Sequence, residues 1–212
     1  IIKSPGIPHT AAIIKALKAG GVVVLGEVDW AAHYTAARLI GVTGSNGKTT
    51  TATLCHHIMA AEMDVVLAGN IGQSLAGTLA DRILQGQPDP EVAILELSSF
   101  QLDDVLELKL DQGILTNITP DHLDRYDYDL NKYAASKMQL ATYTSGQFIY
   151  CDDDSITNKA LEHWLQQHPN PPTLLAYGTD IPAGPHRRTT KENNTITIQL
   201  NNEAMTIEEL AL

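Results

Sequence analysis

The stretch Leu39-Ile40-Gly41-Val42-Thr43-Gly44-Ser45-Asn46-Gly47-Lys48-Thr49-Thr50-Thr51 decides how this chain is read. Its apolar start predicts a buried strand, its glycines a tight loop, and Lys48-Thr49-Thr50 the opening turn of a helix. Strand, glycine loop, Lys-Thr and helix together are the grammar of a phosphate-binding loop. Gly44 and Gly47 let backbone N–H groups converge on one point, and the helix N-terminus adds partial positive charge. Lys48 can then reach terminal phosphates, and the Thr49 hydroxyl can ligate Mg²⁺. The common G-x-x-x-x-G-K-[ST] spacing would put its first glycine at position 42, which is Val42 here. The loop is thus a shortened form of that pattern; the alternative is an ordinary strand–turn–helix with a chance lysine.

Outward from this loop, apolar strands alternate with helical segments. Strands are expected at 39–43, 64–68, 92–96, 112–117, 147–151 and 173–177. Helices are expected at 49–62, 73–85, near 101–108, from an Asp129 N-cap to about Tyr143, and at 155–167. Continuous apolar strands separated by helices predict an α/β fold, with a mostly parallel sheet covered on both faces. Right-handed crossovers place every strand's carboxyl end on one edge, where open α/β sheets bind ligands. Gly44–Thr49, Gly69-Asn70, Glu96–Ser99 and Asn117–Asp124 all fall on that edge.

Before the loop, Ser4-Pro5-Gly6-Ile7-Pro8 reads as a turn, His9–Ala19 as a helix, Val22–Leu25 as a strand and Glu27–Ala37 as helical. Ile1-Ile2-Lys3 reads as the tail of a strand, so the sequence is expected to be cut from a longer protein. At the other end Gly184–Asn194 is polar, and Thr195–Leu200 with Ala204–Ile207 around Asn201-Asn202 reads as a β-hairpin.

Among 212 residues, Asp and Glu number 25 against 14 Lys and Arg, for a net charge of −11. That balance argues against a nucleic-acid surface, which needs a basic face. Any phosphate must be met by local positive groups. Cys55 and Cys151 have no metal-ligand or disulfide-framework spacing and fit a reducing compartment as small buried groups. Apolar runs are far short of a membrane span.

Candidate chemistry clusters at the strand ends. Glu96 ends an apolar strand, where a carboxylate near a phosphate loop commonly binds Mg²⁺; a solvated acid is the alternative. Asn70 can hydrogen-bond an oxyanion or substrate carbonyl, or be a plain turn residue. His122 can ligate a metal or position a phosphate, although a lone histidine is more often structural. The remaining histidines read as surface or packing residues. Lys137, in Tyr133-Ala134-Ala135-Ser136-Lys137, reads on composition alone as an exposed helical lysine.

Taken in order, Thr43–Thr50, Gly69-Asn70-Ile71-Gly72, Glu96-Leu97-Ser98-Ser99-Phe100-Gln101-Leu102, Asn117-Ile118-Thr119-Pro120-Asp121-His122-Leu123-Asp124-Arg125-Tyr126 and Tyr133–Lys137 resemble the Mur ligase family. The Glu96–Leu102 run points to the members that add D-glutamate to UDP-N-acetylmuramoyl-L-alanine. The resemblance is strong over 39–143 and weak after 155. It implies a three-domain protein of which residues 1–36 are the end of a UDP-substrate-binding domain. Residues 37–212 would be most of a P-loop NTPase-like central domain, and the amino-acid-binding C-terminal domain would be absent. Ser4, Pro5 and Gly6 match a family loop near the UDP-sugar; Gly26-Glu27-Val28-Asp29 departs from the family, which more often repeats a glutamate.

The family's reaction uses ATP and Mg²⁺ to make an acyl phosphate, which the amine of D-glutamate attacks. By resemblance, Lys48 with Gly44, Ser45, Asn46, Gly47, Thr49 and Thr50 would hold the phosphates. Thr49 and Glu96 would bind one Mg²⁺. His122 and a carbamylated Lys137 would support a second, and Asn70 and Ser98 would face the acyl substrate. A cytoplasmic monomer is expected, with no nucleic-acid or membrane partner, and the piece alone is expected to be inactive. The alternatives are a folylpolyglutamate synthase-like ligase and a nucleotide-binding module without ligase chemistry.

Overall fold

The structure, a computed structural model, describes residues 1–8, 10–178, 187–192, 195–200 and 203–208. Ahead of the phosphate loop come β1 (Ile2–Lys3), α1 (Ala12–Ala19), β2 (Leu25–Gly26) and α2 (Glu27–Ala31). The main body follows as β3 (Arg38–Thr43), α3 (Lys48–Met59), β4 (Val65–Gly69), α4 (Leu75–Leu84), β5 (Val92–Glu96), α5 (Ser99–Leu102) and β6 (Leu110–Leu115). It continues through α6 (Leu130–Thr142), β7 (Thr144–Cys151), α7 (Ser155–Gln167) and β8 (Thr173–Tyr177). Strands β3 to β8 form one parallel six-stranded sheet in the order β4-β5-β3-β6-β7-β8. From β3 the chain crosses toward β4, whereas from β6 it crosses toward β7. The crevice between the carboxyl ends of β3 and β6 is therefore the topological switch point.

Strand periodicity puts successive side chains on opposite faces. Leu39, Ala93 and Leu95 join the larger core under α4, α6 and α7, while Ile40, Val42, Val92 and Ile94 pack with Ala52 and Cys55 of α3. Both faces of the sheet are thus covered, as the continuous apolar strands predict. Asp129 accepts a hydrogen bond from Asn131 N as the N-cap of α6, in the place the sequence suggested.

Ahead of the C-terminal strands, three elements differ from the sequence expectation. Helix α5 is one turn long, not a helix to residue 108. The amides of Leu106 and Glu107 donate instead to the fully buried carboxylate of Asp29, at 2.9 and 3.2 Å. Tertiary partners there replace the bonds a longer helix would make. The expected helix over 27–37 stops as α2 and a 3-10 turn at Ala32–Tyr34. Asp89 then takes the Ala36 amide at 2.6 Å, with the chain extended at Thr35. The expected strand at 22–25 is reduced to β2, paired parallel to β1.

Residues 1–36 pack onto the main body through the Asp29 contacts and a buried Lys3–Asp104 ion pair at 2.6 Å. Glu27 adds a hydrogen bond from Ala76 N at 2.6 Å. Near the C-terminus β9 (Arg187–Glu192), β10 (Thr195–Leu200) and β11 (Glu203–Glu208) form an antiparallel sheet, one strand more than the expected hairpin. The turn at 201–202, His9, and residues 184–186 and 193–194 of the polar tail lie outside the described residues. No described helix is long and apolar enough to cross a membrane.

Gly41 lets α6 approach the sheet. A Cβ there would meet Leu110 Cδ1 at 2.7 Å and Leu140 Cδ1 at 2.8 Å. Gly41→Ala should therefore destabilise the fold by about 1–3 kcal/mol through overpacking. The measurement is the denaturant midpoint; an unchanged midpoint would show that the sheet–helix gap is wider than this packing implies.

Candidate active site

The phosphate loop leaves β3 and enters α3 at Lys48, with Gly47 in the left-handed region at φ 81°. Gly44, at φ 150°, lies so close to Thr116 that a Cβ would overlap the threonine hydroxyl. Only glycine fits this crossing, so the loop and the segment after β6 can touch. That segment holds the loop at several points. Asn46 N donates to Asn117 Oδ1, and Asn117 Nδ2 donates to Asn46 O, each at 3.0 Å. Thr116 Oγ1 donates to Asn46 O at 2.6 Å. Ser45 Oγ donates to Thr119 O at 2.8 Å and accepts from Thr119 N at 2.9 Å. The sequence marked Asn117–Asp124 as a strand-end motif without giving Thr116, Asn117 or Thr119 this role. The polar run at a strand end was the available signal.

A second group forms beside the loop. Thr49 Oγ1 donates to Glu96 Oε2 at 2.7 Å, and Asn70 Nδ2 donates to Glu96 Oε1 at 2.9 Å. Glu96 is 1% exposed. Its carboxylate therefore reads as a held, buried oxygen pair and not as a solvated strand-end acid. Hard oxygen donors of this kind, few in number, suit Mg²⁺, which keeps waters and phosphate oxygens for its remaining positions. Among the described residues no group of three or more His, Cys, Asp or Glu side chains is placed to hold a metal by itself. Any divalent ion here would rely on Thr49, Glu96 and a phosphate ligand.

The largest departure from local sequence reading is Lys137. It is 1% exposed, not a surface lysine. Its Nζ donates to Gly44 O at 2.8 Å and lies 4.6 Å from the Tyr133 ring centre. Lys48 Nζ donates to the same Gly44 O and to Ser45 O, each at 2.9 Å. Desolvation, then the neighbouring Lys48 charge, push the Lys137 amine down to about 7. Near neutral pH a substantial share is therefore the free, nucleophilic amine. Tyr133, also buried, shares a 3.1 Å hydrogen bond with Ser45 and so ties α6 to the loop.

The other sequence candidates sit around this centre. His122 has φ 49° and is mostly exposed; its ring packs on Phe100 at 5.4 Å, with Asp121 3.6 Å from Nε2. The contacts described for it do not join it to Glu96 or Lys137. Ser98 is the N-cap of α5 in a capping box with Gln101, and its Oγ donates to Gln101 Oε1 at 2.9 Å. Ser4, Pro5 and Gly6 form a turn beside a cleft of about 330 Å³ that includes Phe100 and Arg125. Arg125 stacks on Phe100 at 4.1 Å and reaches toward Pro5 O and Gly6 O. A larger groove of about 690 Å³ between α6 and α7 contains none of the candidate residues. Cys55 and Cys151 are free and half-buried.

The Mur ligase middle domain matches residues 42–209. The UDP-N-acetylmuramoylalanine–D-glutamate ligase of Bacteroides thetaiotaomicron is 45% identical over 172 residues, spanning 79% of this chain and 37% of that protein. The enzyme of the same name from Porphyromonas gingivalis is 38% identical over 212 residues, covering 99% of this chain and 45% of its own. The chain thus spans less than half the length of these curated relatives. Among solved structures, the MurF ligase from Thermotoga maritima in complex with ADP superposes with a TM-score of 0.58 at 17% identity, over 92% of this chain and 51% of that one. A folylpolyglutamate synthase/dihydrofolate synthase solved with Mn, AMPPNP and L-glutamate gives 0.53 at 18%, over 94% and 58%. At these identities the structural likeness shows the shared fold.

The buried lysine gives a pH signature with a definite sign. The unfolded chain keeps this proton up to the ordinary value of 10.5, whereas the folded chain releases it at about 7. Folded-state stability therefore falls as pH drops from 10.5 to about 7, and the penalty is complete below that. Lys137→Met should remove the penalty. Its gain over wild type, read from denaturant midpoints, is expected to grow from about pH 10 to about pH 7 and then level off. A pH-independent difference would sink the depressed-lysine assignment.

Proposed function

The chain belongs to the Mur ligase family through its middle domain, and on that premise we propose that the whole protein is an ATP-dependent amide ligase of peptidoglycan precursor synthesis. It joins D-glutamate to UDP-N-acetylmuramoyl-L-alanine. The observation that carries the ligase reading is the buried Lys137 amine against Gly44 of the phosphate loop. A nucleotide switch has no use for a second, desolvated lysine there. The choice of D-glutamate rests on the relatives named above and on the Glu96–Leu102 run, which also argues against a folate-type ligase.

In this reading residues 1–36 end the UDP-substrate domain, and Ser4, Pro5 and Gly6 line the approach of the UDP-sugar. Lys48 turns from the carbonyls of Gly44 and Ser45 to the β- and γ-phosphates of ATP, while the amides of Gly47 to Thr50 face them; Gly44, Ser45 and Asn46 shape the loop, the Ser45 and Asn46 amides being held by Asn117. Thr49 and Glu96 would hold Mg²⁺, and a carbamylated Lys137 with His122 would support a second ion; bound there, such ions would supply charge neutralisation for phosphoryl transfer. Asn70, held by Glu96, presents its amide to the acyl end of the substrate, and Ser98 borders the same space. The substrate carboxylate attacks the γ-phosphorus, ADP leaves, and the resulting acyl phosphate is taken by the D-glutamate amine with loss of phosphate. The chain's own contribution is positioning and charge neutralisation. Free Lys137 amine, available near pH 7, can add through Nζ to the carbon of CO₂ and release one N–H proton to water, forming the carbamate. The protein works in the cytoplasm as a monomer.

The intact protein should release phosphate only when UDP-N-acetylmuramoyl-L-alanine, D-glutamate and Mg-ATP are all present. Equal turnover with L-lysine or meso-diaminopimelate in place of D-glutamate would refute the assignment. Lys48→Ala should weaken ATP binding. Lys137→Ala should cut turnover by about 100-fold or more, with partial recovery on adding small carboxylates; full activity in that variant would end the carbamate reading.

A further inference from the structure

The segment that clamps the phosphate loop is itself held from the far side. Ile118 is completely buried, and its amide donates to Asp154 Oδ2 at 2.6 Å, across 36 positions of sequence. The other carboxylate oxygen, Oδ1, accepts from Ile156 N at 3.0 Å as the N-cap of α7. A helix cap alone needs only that one oxygen. The second also takes Thr157 Oγ1 at 2.6 Å, which fixes the carboxylate's rotation toward Ile118. From β8, Tyr177 OH donates to Thr116 O at 3.0 Å. The segment of Thr116, Asn117, Ile118 and Thr119 is therefore gripped between the phosphate loop on one side and β7–α7–β8 on the other. Burial pushes the Asp154 carboxyl up, but the hydrogen bonds from Thr157, Ile118 and Ile156 outweigh it and hold the group below the usual carboxylate range.

We infer that Asp154 is a positioning residue for the nucleotide: through Ile118 it fixes the Asn117–Thr119 clamp and thereby the Ser45 and Asn46 backbone of the phosphate loop. Tyr177 is the second strut of the same device, acting through Thr116. The inference rests on the reading of this loop as an ATP-phosphate site. Its physical basis is preorganisation, since converging amides bind phosphate well only if their geometry is set beforehand. Without Asp154, the buried Ile118 amide lacks its partner and the clamp must shift to find another. No charge from Asp154 need touch the nucleotide.

The test uses the whole protein and isothermal titration with AMPPNP and Mg²⁺, alongside thermal midpoints and steady-state kinetics. Asp154→Ala should raise the Kd for AMPPNP about tenfold and raise KM for ATP with little change in KM for D-glutamate. Tyr177→Phe, which keeps the ring and loses only the hydroxyl, should shift both in the same direction by a smaller factor; it carries the test if Asp154→Ala does not fold. Leu161→Ala in α7 controls for general loosening, because it removes core packing without touching the strut. It should lower the thermal midpoint and leave the AMPPNP Kd within about twofold. Wild-type affinity in both strut variants, or an equal loss in Leu161→Ala, would overturn the positioning role while leaving the ligase reading intact. A wild-type protein that binds no AMPPNP would overturn both.

Discussion

Lys48 and Lys137 both direct their Nζ atoms at the carbonyl oxygen of Gly44, and the rest of the site depends on that convergence. One carbonyl cannot offset two cations in a desolvated pocket. The buried partner therefore gives way, and Lys137 becomes a weak base while Lys48, at the helix N-terminus, keeps its place on the loop. The same geometry demands that Gly44 carry no side chain, because Thr116 occupies the space a Cβ would need. Glycine here permits contact between two strand ends as well as a turn.

That contact lies at the switch point of the sheet, where crossovers leave β3 and β6 in opposite directions. On one flank, β4 and β5 bring Asn70 and Glu96 to Thr49. On the other, β7 and β8 bring Asp154 and Tyr177 to the clamp. The N-terminal segment is attached on a third side, where Asp29 takes the amides of Leu106 and Glu107 and Lys3 pairs with Asp104. A buried ion pair of this kind adds little net stability over apolar packing, but losing one partner would strand the other's charge. Its geometry fixes where the Ser4–Gly6 turn sits relative to Arg125 and Phe100.

Much of this was legible from residue order. Strand 92–96, helix 155–167 and strand 173–177 coincide with the observed elements because each is a short apolar or amphipathic run bounded by clear stops. The Asp129 cap was legible for the same reason, being a local hydrogen bond. In two of the misjudged segments, 27–37 and 101–108, backbone amides of the terminal residues find partners far away in sequence; in 22–25, Val22 N bonds back to Leu17 O and the strand shrinks to Leu25–Gly26. Local propensity cannot register an Asp89 or an Asp29 carboxylate waiting at the end of a helix. Ser98, which the resemblance places beside the acyl substrate, also closes a capping box within its own turn.

The sequence by itself determined the parallel α/β architecture, the loop that joins β3 to α3, and the gathering of chemical residues at strand carboxyl ends. These follow from periodicity and glycine spacing, which act over a few residues. Only the tertiary structure decided the state of Lys137 and the support of the loop. In sequence Lys137 is one polar residue in an Ala-rich helix; in the fold its side chain is buried beside another lysine. Burial and charge–charge distance are properties of the packed chain, and they bring the loss of this lysine's proton down to about pH 7.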